Sequence, residues 1–185
     1  MTGLLFALIA TLTVGLGARD QVLTAQFADR RGGGAMVLPV AIISGAVAAA
    51  LAAWAGSQVA GLMIGKARLF LVGLALAFAG LEIALLKPRA APAEPTRSLG
   101  AFAIVIFAAQ LTDAARFVVF ALAALTRAPI TTGLGAAIGA ALVVALGVVA
   151  AELVQASWLV RLRRWLGAGL ALLGMGLAAQ AMGYL

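Results

Sequence analysis

The strongest constraint in this chain is a run from Phe102 to Leu125, long enough to cross a bilayer, whose only charges are Asp113 and Arg116. Inside a bilayer each unmet backbone N–H or C=O costs several kcal/mol, so a spanning segment must be a helix or part of a closed barrel. No alternating barrel pattern occurs in the sequence, and helices are expected. A charged side chain at that depth is costly unless it is paired or wet, and by default it marks a substrate pathway. A second run, Met1 to Phe27, carries its own adjacent pair, Arg19 and Asp20.

Composition extends this reading to the whole chain. Of 185 residues, 65% are hydrophobic and 10% charged, against about 25% charged in soluble domains. The chain has no cysteine and no histidine. Disulfides, thiolate metal sites and the usual near-neutral proton shuttle are therefore excluded. Any cation handled here must be held by oxygen, which favours calcium, magnesium or manganese. The net charge of +7 could suggest a nucleic acid partner. The basic residues instead sit in short loops between apolar spans, as the positive-inside rule expects. The expected partners are the lipid bilayer and a small ion or solute, with no nucleic acid; a homo-oligomer is compatible with the sequence.

Charges and prolines divide the chain into six spans of roughly bilayer length, over residues 2–27, 36–64, 68–86, 100–126, 130–154 and 159–184. The fold class expected is an all-α integral membrane protein, with six transmembrane helices arranged as two three-helix repeats. Residues 1–86 form the first repeat, 87–98 a linker containing Pro88, Pro92 and Pro95, and 99–185 the second. Arg30, Arg31, Lys87, Arg89, Arg97, Arg161, Arg163 and Arg164 fall on one side, and Lys66, Arg68 and Arg127 on the other. This bias places the larger set in the cytoplasm, and both termini outside it, in a bacterial inner membrane.

The halves resemble each other. Shifted by 96 positions, Arg68 falls on Arg164, Gly73 on Gly169, Leu74 on Leu170, Gly80 on Gly176 and Leu81 on Leu177. Seven of the 19 positions from Arg68 to Leu86 match, where chance in so Ala-, Leu- and Gly-rich a chain gives roughly two or three. Each half has an odd number of spans, so the second enters the membrane from the opposite face. That is the signature of an inverted repeat, whose substrate sites lie near the midplane where the repeats meet.

The candidate site residues follow from that symmetry. Asp20 and Arg116 are equivalent under the shift, and Arg19 and Asp113 lie beside them. Bringing spans one and four together predicts cross-pairs Arg19–Asp113 and Asp20–Arg116, although Asp113 and Arg116 are also close enough in sequence to pair with each other. Gln21, Gln110 and Thr112 add uncharged oxygens. The alternative is an ionic lock that holds the halves in register. Glu82 and Glu152 sit near expected span ends, where long side chains reach water. Glycines such as Gly133, Gly135, Gly174 and Gly176 suit tight helix packing, and Trp54, Trp158, Trp165 and Tyr184 suit interfacial anchors. No nucleophile–base arrangement, phosphate loop or dinucleotide fingerprint occurs, so neither an enzyme nor a resident cofactor is expected.

The sequence resembles the Gdt-one/transmembrane protein 165 family of cation–proton exchangers. That family carries a Glu-apolar-Gly-Asp-Lys/Arg-Ser/Thr motif in the first helix of each half. Gly15-Leu16-Gly17-Ala18-Arg19-Asp20-Gln21 stands at the first motif, with Gly15 at the Glu position and Ala18 at the Asp position. Gln110-Leu111-Thr112-Asp113-Ala114-Ala115 stands at the second, matching at Leu111 and Asp113. Leu111-Thr112-Asp113-Ala114 is also similar to manganese efflux pumps with an Asp-Ala pair in spans one and four. The resemblance implies exchange of manganese or calcium for protons, with Asp113 as the metal-binding carboxylate. Two classes stay open beside it: an exporter of another small solute, anionic or amphoteric, and a non-transporting accessory membrane protein.

Overall fold

The computed structural model describes residues 2–30, 34–86, 98–154 and 156–184. Among them the chain forms nine helices and no strand: α1 (Thr2–Gly15), α2 (Arg19–Arg30), α3 (Val37–Leu62), α4 (Gly65–Leu85), α5 (Leu99–Leu111), α6 (Ala114–Thr126), α7 (Pro129–Val149), α8 (Ala151–Val154) and α9 (Ser157–Met182). The expected linker lies outside the described residues except for Ser98, as do Arg31, Lys87, Arg89 and Arg97.

Helices α3, α4, α7 and α9 are each long and apolar enough to cross a membrane. The pairs α1–α2 and α5–α6 qualify only jointly, bent by 65° and 54° at short breaks. The expected continuous helices over 2–27 and 100–126 are therefore corrected: each is two helices bent against each other. Hydropathy averages over a window and is blind to a three-residue interruption. A second correction concerns Arg161 to Arg164, expected as a break. They lie inside α9, and the chain turns earlier, between Val149 and Ser157.

Both broken pairs advance from one end of a neighbouring helix to the other. Along α7, Gly3 lies beside Thr131 and Thr132, Leu8 and Thr11 beside Gly139, Gly15 beside Val143, and Gln21 beside Gly147. Along α3, Phe102 clusters with Val37 and Ala41, Phe120 abuts Gly56, and Ala124 clusters with Ala60. Helices α3 and α7 are themselves antiparallel, with Gly45 against Ala140 and Gly133 against Ala53. The first broken pair consequently runs opposite to the second. The two breaks are also equivalent in sequence: α1 ends at Gly15 and α5 at Leu111, α2 at Arg30 and α6 at Thr126, each pair 96 positions apart.

Helices α4 and α9 pack antiparallel, backbone on backbone. A Cβ on Gly73 would stand 2.6 Å from both Gly174 O and Ala178 N, and one on Gly167 would stand 2.7 Å from Gly80 O and Ala84 N. Gly80 meets Ala171, and Gly174 meets Ala77, in the same way. Lipid supplies no hydrophobic drive between helices, so small residues that allow close approach decide where they pack. This contact matches Gly73 with Gly167, Ala77 with Ala171, Gly80 with Gly174 and Ala84 with Ala178, a shift of 94. The shift of 96 had matched Gly73 with Gly169 and Gly80 with Gly176, yet a Cβ on Gly169 or Gly176 would meet nothing. A slip of two residues rotates a helix face by about 200° but hardly changes the identities scored in a Gly/Ala/Leu-rich stretch.

Large apolar side chains cover the outside, including Leu5, Ile43, Phe78, Ile104 and Leu172, and Trp54, Trp158, Trp165 and Tyr184 are exposed among them. Gly80→Val and Gly174→Val should each destabilise the protein by about 1–3 kcal/mol through overpacking. Gly169→Val and Gly176→Val should stay within about 0.5 kcal/mol of the parent. Thermal unfolding in detergent checks this; equal losses at all four positions would contradict the α4–α9 contact.

Candidate functional site

A helix broken inside a bilayer exposes N–H groups at one new end and carbonyls at the other, with no water from the hydrocarbon to meet them. At the first break Gly17 takes φ +70°, a left-handed conformation that costs a residue with a Cβ about 1–2 kcal/mol. Gln21 fastens the turn: its Oε1 accepts from Gly17 N at 2.6 Å, and its Nε2 donates to Val143 O at 2.6 Å on α7. The carbonyl end of α1 is met from α9, where Arg163 Nη1 donates to Val14 O at 2.9 Å and also to Leu16 O.

The second break is closed by the same means. Asp113 caps α6, its Oδ2 accepting from Ala115 N at 3.2 Å. Glu82 reaches across from α4, and its Oε2 accepts from Ala114 N at 3.1 Å. Arg116 Nε donates back to Gln110 O at 3.2 Å, at the carbonyl end of α5. Arg19 Nη2 donates to Thr112 O at 3.3 Å and forms an ion pair with Glu82 Oε1 at 3.0 Å. Carboxylates thus sit at helix N-termini and guanidiniums at C-termini, the arrangement a helix dipole favours.

The result is one cluster at the two breaks, of Arg19, Asp20, Glu82, Asp113, Arg116 and Arg163, with formal charges that cancel. Asp113 acts electrostatically on Asp20, Glu82, Arg116 and Arg163. Asp113 is 1% exposed, and Asp20 and Arg116 are 4% exposed; none of the three faces lipid. Arg19 and Glu82 form the wetter edge, with 24% and 10% of their side chains exposed. Several buried polar atoms have no protein partner: Asp113 Oδ1, Arg116 Nη1, Gln110 Oε1, Arg19 Nε and Thr11 Oγ1. A cavity of about 140 Å³, lined by Thr13, Val14, Ile83, Arg163, Leu166 and Leu170, lies against Arg163.

Several expectations change. Among the described residues the ion pair within 4 Å is Arg19–Glu82, so the cross-pairs Arg19–Asp113 and Asp20–Arg116 are not formed. Asp20 Oδ1 instead accepts from Gln21 N at 2.8 Å. Gln21 and Gln110 are fully buried, and Gln110 Nε2 ties α5 to Ala41 O on α3 at 3.0 Å. Thr112 is exposed and turns its hydroxyl to Ala108 O at 3.0 Å, so only its carbonyl joins the cluster. Glu82, expected to reach water, reaches inward to Arg19 and Ala114 N, while Glu152 is exposed as expected. Arg163 was counted as a loop cation. The signal for it was its helical spacing, four residues from both Leu159 and Gly167, which are buried.

No family model, no characterised protein and no solved structure matches this chain. What the fold and the site define is a helical protein with four to six apolar spans and a neutral cluster of charges at two broken helices.

The Arg19–Glu82 pair joins α2, α4 and both sides of the second break. Arg19→Gln and Glu82→Gln, alone and together, should give a coupling energy of about 0.5–3 kcal/mol in a double-mutant cycle followed by thermal unfolding. Additive losses would mean that the pair does not hold the breaks together.

Proposed function

We propose that this protein is a secondary transporter whose substrate site is the charge cluster where the two broken spans meet. The observation that carries this reading is the break itself. Discontinuous helices whose ends face each other within inverted repeats are the usual construction of secondary-transport sites, because half-helix termini offer fixed partial charges without lipid-facing backbone. Support for the repeat comes from the opposed directions of α1–α2 and α5–α6, of α3 and α7, and of α4 and α9, and from breaks 96 positions apart. The membrane reading extends to a bacterial inner membrane with both termini outside the cytoplasm. Arg163, which turns inward, leaves the count of cations near span ends, which still favours that orientation by seven to three.

Manganese or calcium exchange for protons, the activity implied by the resemblance, asks for several anionic oxygens converging on one ion. Among the described residues no three acidic side chains stand close enough to hold a metal, and three guanidiniums share the cluster. Transport of a small polar solute other than a bare divalent cation is the better reading.

The ionic lock has its own support, since the charges already meet the broken ends of both spans. Asp113→Asn separates the two. It keeps an acceptor for Ala115 N and removes the charge. Purified protein in liposomes, offered manganese, calcium, phosphate and amino acids in turn, should show protein-dependent flux of one of them, reduced at least about tenfold by Asp113→Asn in protein that still folds. A lock predicts the reverse: no flux from the parent, and a loss of about 3–5 kcal/mol in the variant as its partners lose their counter-charge.

A further inference from the structure

We infer that the solute carried is a small zwitterion, one carboxylate and one ammonium group on a compact body, held between Arg116 on one side and Asp113 with Gln110 on the other; this rests on the transporter reading above.

At the second break Gln110, Asp113 and Arg116 each keep one polar atom without a partner, and Arg19 Nε at its edge is a fourth such atom. Arg116 Nη1 is a charged donor, while Asp113 Oδ1 and Gln110 Oε1 are acceptors, and all three residues are at least 96% buried. Buried polar atoms in folded proteins are almost always paired, so an unmatched set on neighbouring residues calls for a partner from outside the chain, a solute or water. The rest of each side chain is already fixed. Asp113 Oδ2 caps α6, Arg116 Nε holds Gln110 O, and Gln110 Nε2 holds Ala41 O. The free atoms are therefore presented by side chains that cannot turn away without breaking a bond to the fold.

The free set asks for a ligand with both a strong acceptor and strong donors. A carboxylate matches Arg116, since charge-assisted bonds of guanidinium to carboxylate are among the strongest available. An ammonium group, with three donors and no acceptor, matches Asp113 and Gln110. Net charge points the same way. Arg19, Arg116 and Arg163 balance Asp20, Glu82 and Asp113, so a bare divalent cation or an anion would leave uncompensated charge in a low-dielectric interior. A zwitterion adds separated charges and no net charge.

The test uses the purified full chain in liposomes loaded with unlabelled alanine, measuring counterflow of radiolabelled alanine, serine and leucine. Saturable exchange of at least one is expected. Alaninamide, which keeps only the ammonium, and N-acetylalanine, which keeps only the carboxylate, should each compete at least about tenfold more weakly than alanine, because each leaves one buried charge of the site unmatched. Arg116→Lys and Asp113→Asn should each reduce exchange about tenfold or more, and the analogue comparison stands on the parent protein even where a variant fails to fold. Equal competition by either one-charge analogue overturns the inference. Flux of manganese or phosphate without flux of any amino acid overturns it too, and leaves the transporter reading in place. Folded protein that moves none of these probes, its free atoms met by water alone, removes both.

Discussion

Everything in this fold depends on how four helix ends are met in its apolar interior. Two spans stop and restart, which frees carbonyls at the ends of α1 and α5 and N–H groups at the starts of α2 and α6. Each unmet group would cost several kcal/mol in lipid. Side chains answer them at each end: Arg163 from α9 at the end of α1, Asp20 at the start of α2, Arg116 from α6 and Arg19 from α2 at the end of α5, and Glu82 from α4 with the N-cap residue Asp113 at the start of α6. The charges tolerate burial because the helix ends are there, and the helix ends tolerate interruption because the charges are there. Neither would persist alone.

That mutual dependence explains why a lock and a transport site look alike here. The charge cluster leaves Asp113 Oδ1, Arg116 Nη1 and Gln110 Oε1 over, although those side chains are held by other bonds. The ion pair of Arg19 and Glu82 lies at the more exposed edge, while these three free atoms are inside.

The α4–α9 contact is a second, separate device. Four glycines and four alanines let the two backbones touch there. Its consequence is positional. Glu82 is on α4 and Arg163 on α9, so the contact fixes the two side chains that reach the breaks from outside the broken spans. Dispersion between close backbones, weak per atom and large in sum, thus holds the electrostatic part in register.

The sequence by itself determined that this chain is helical and apolar, that several of its helices are long enough to cross a membrane, and that Asp20, Asp113 and Arg116 would be buried. Each of those follows from a local property: run length, the absence of an alternating pattern, or the burial cost of a single charge. It could not show that spans one and four are broken. Leu16-Gly17-Ala18 and Thr112-Asp113 are short enough to vanish in a window of bilayer length, and Gly17's left-handed backbone leaves only a glycine as its trace. Nor could it assign partners. Glu82 and Arg163 read as residues near water because their distance from a span end was all the sequence offered, and the pairing of Arg19 with Glu82 spans helices α2 and α4. The repeat shows the same limit: a shift of 96 describes the breaks and a shift of 94 the α4–α9 face. Identity scores in a Gly/Ala/Leu-rich helix barely distinguish the two, whereas the close approach of two backbones admits only one.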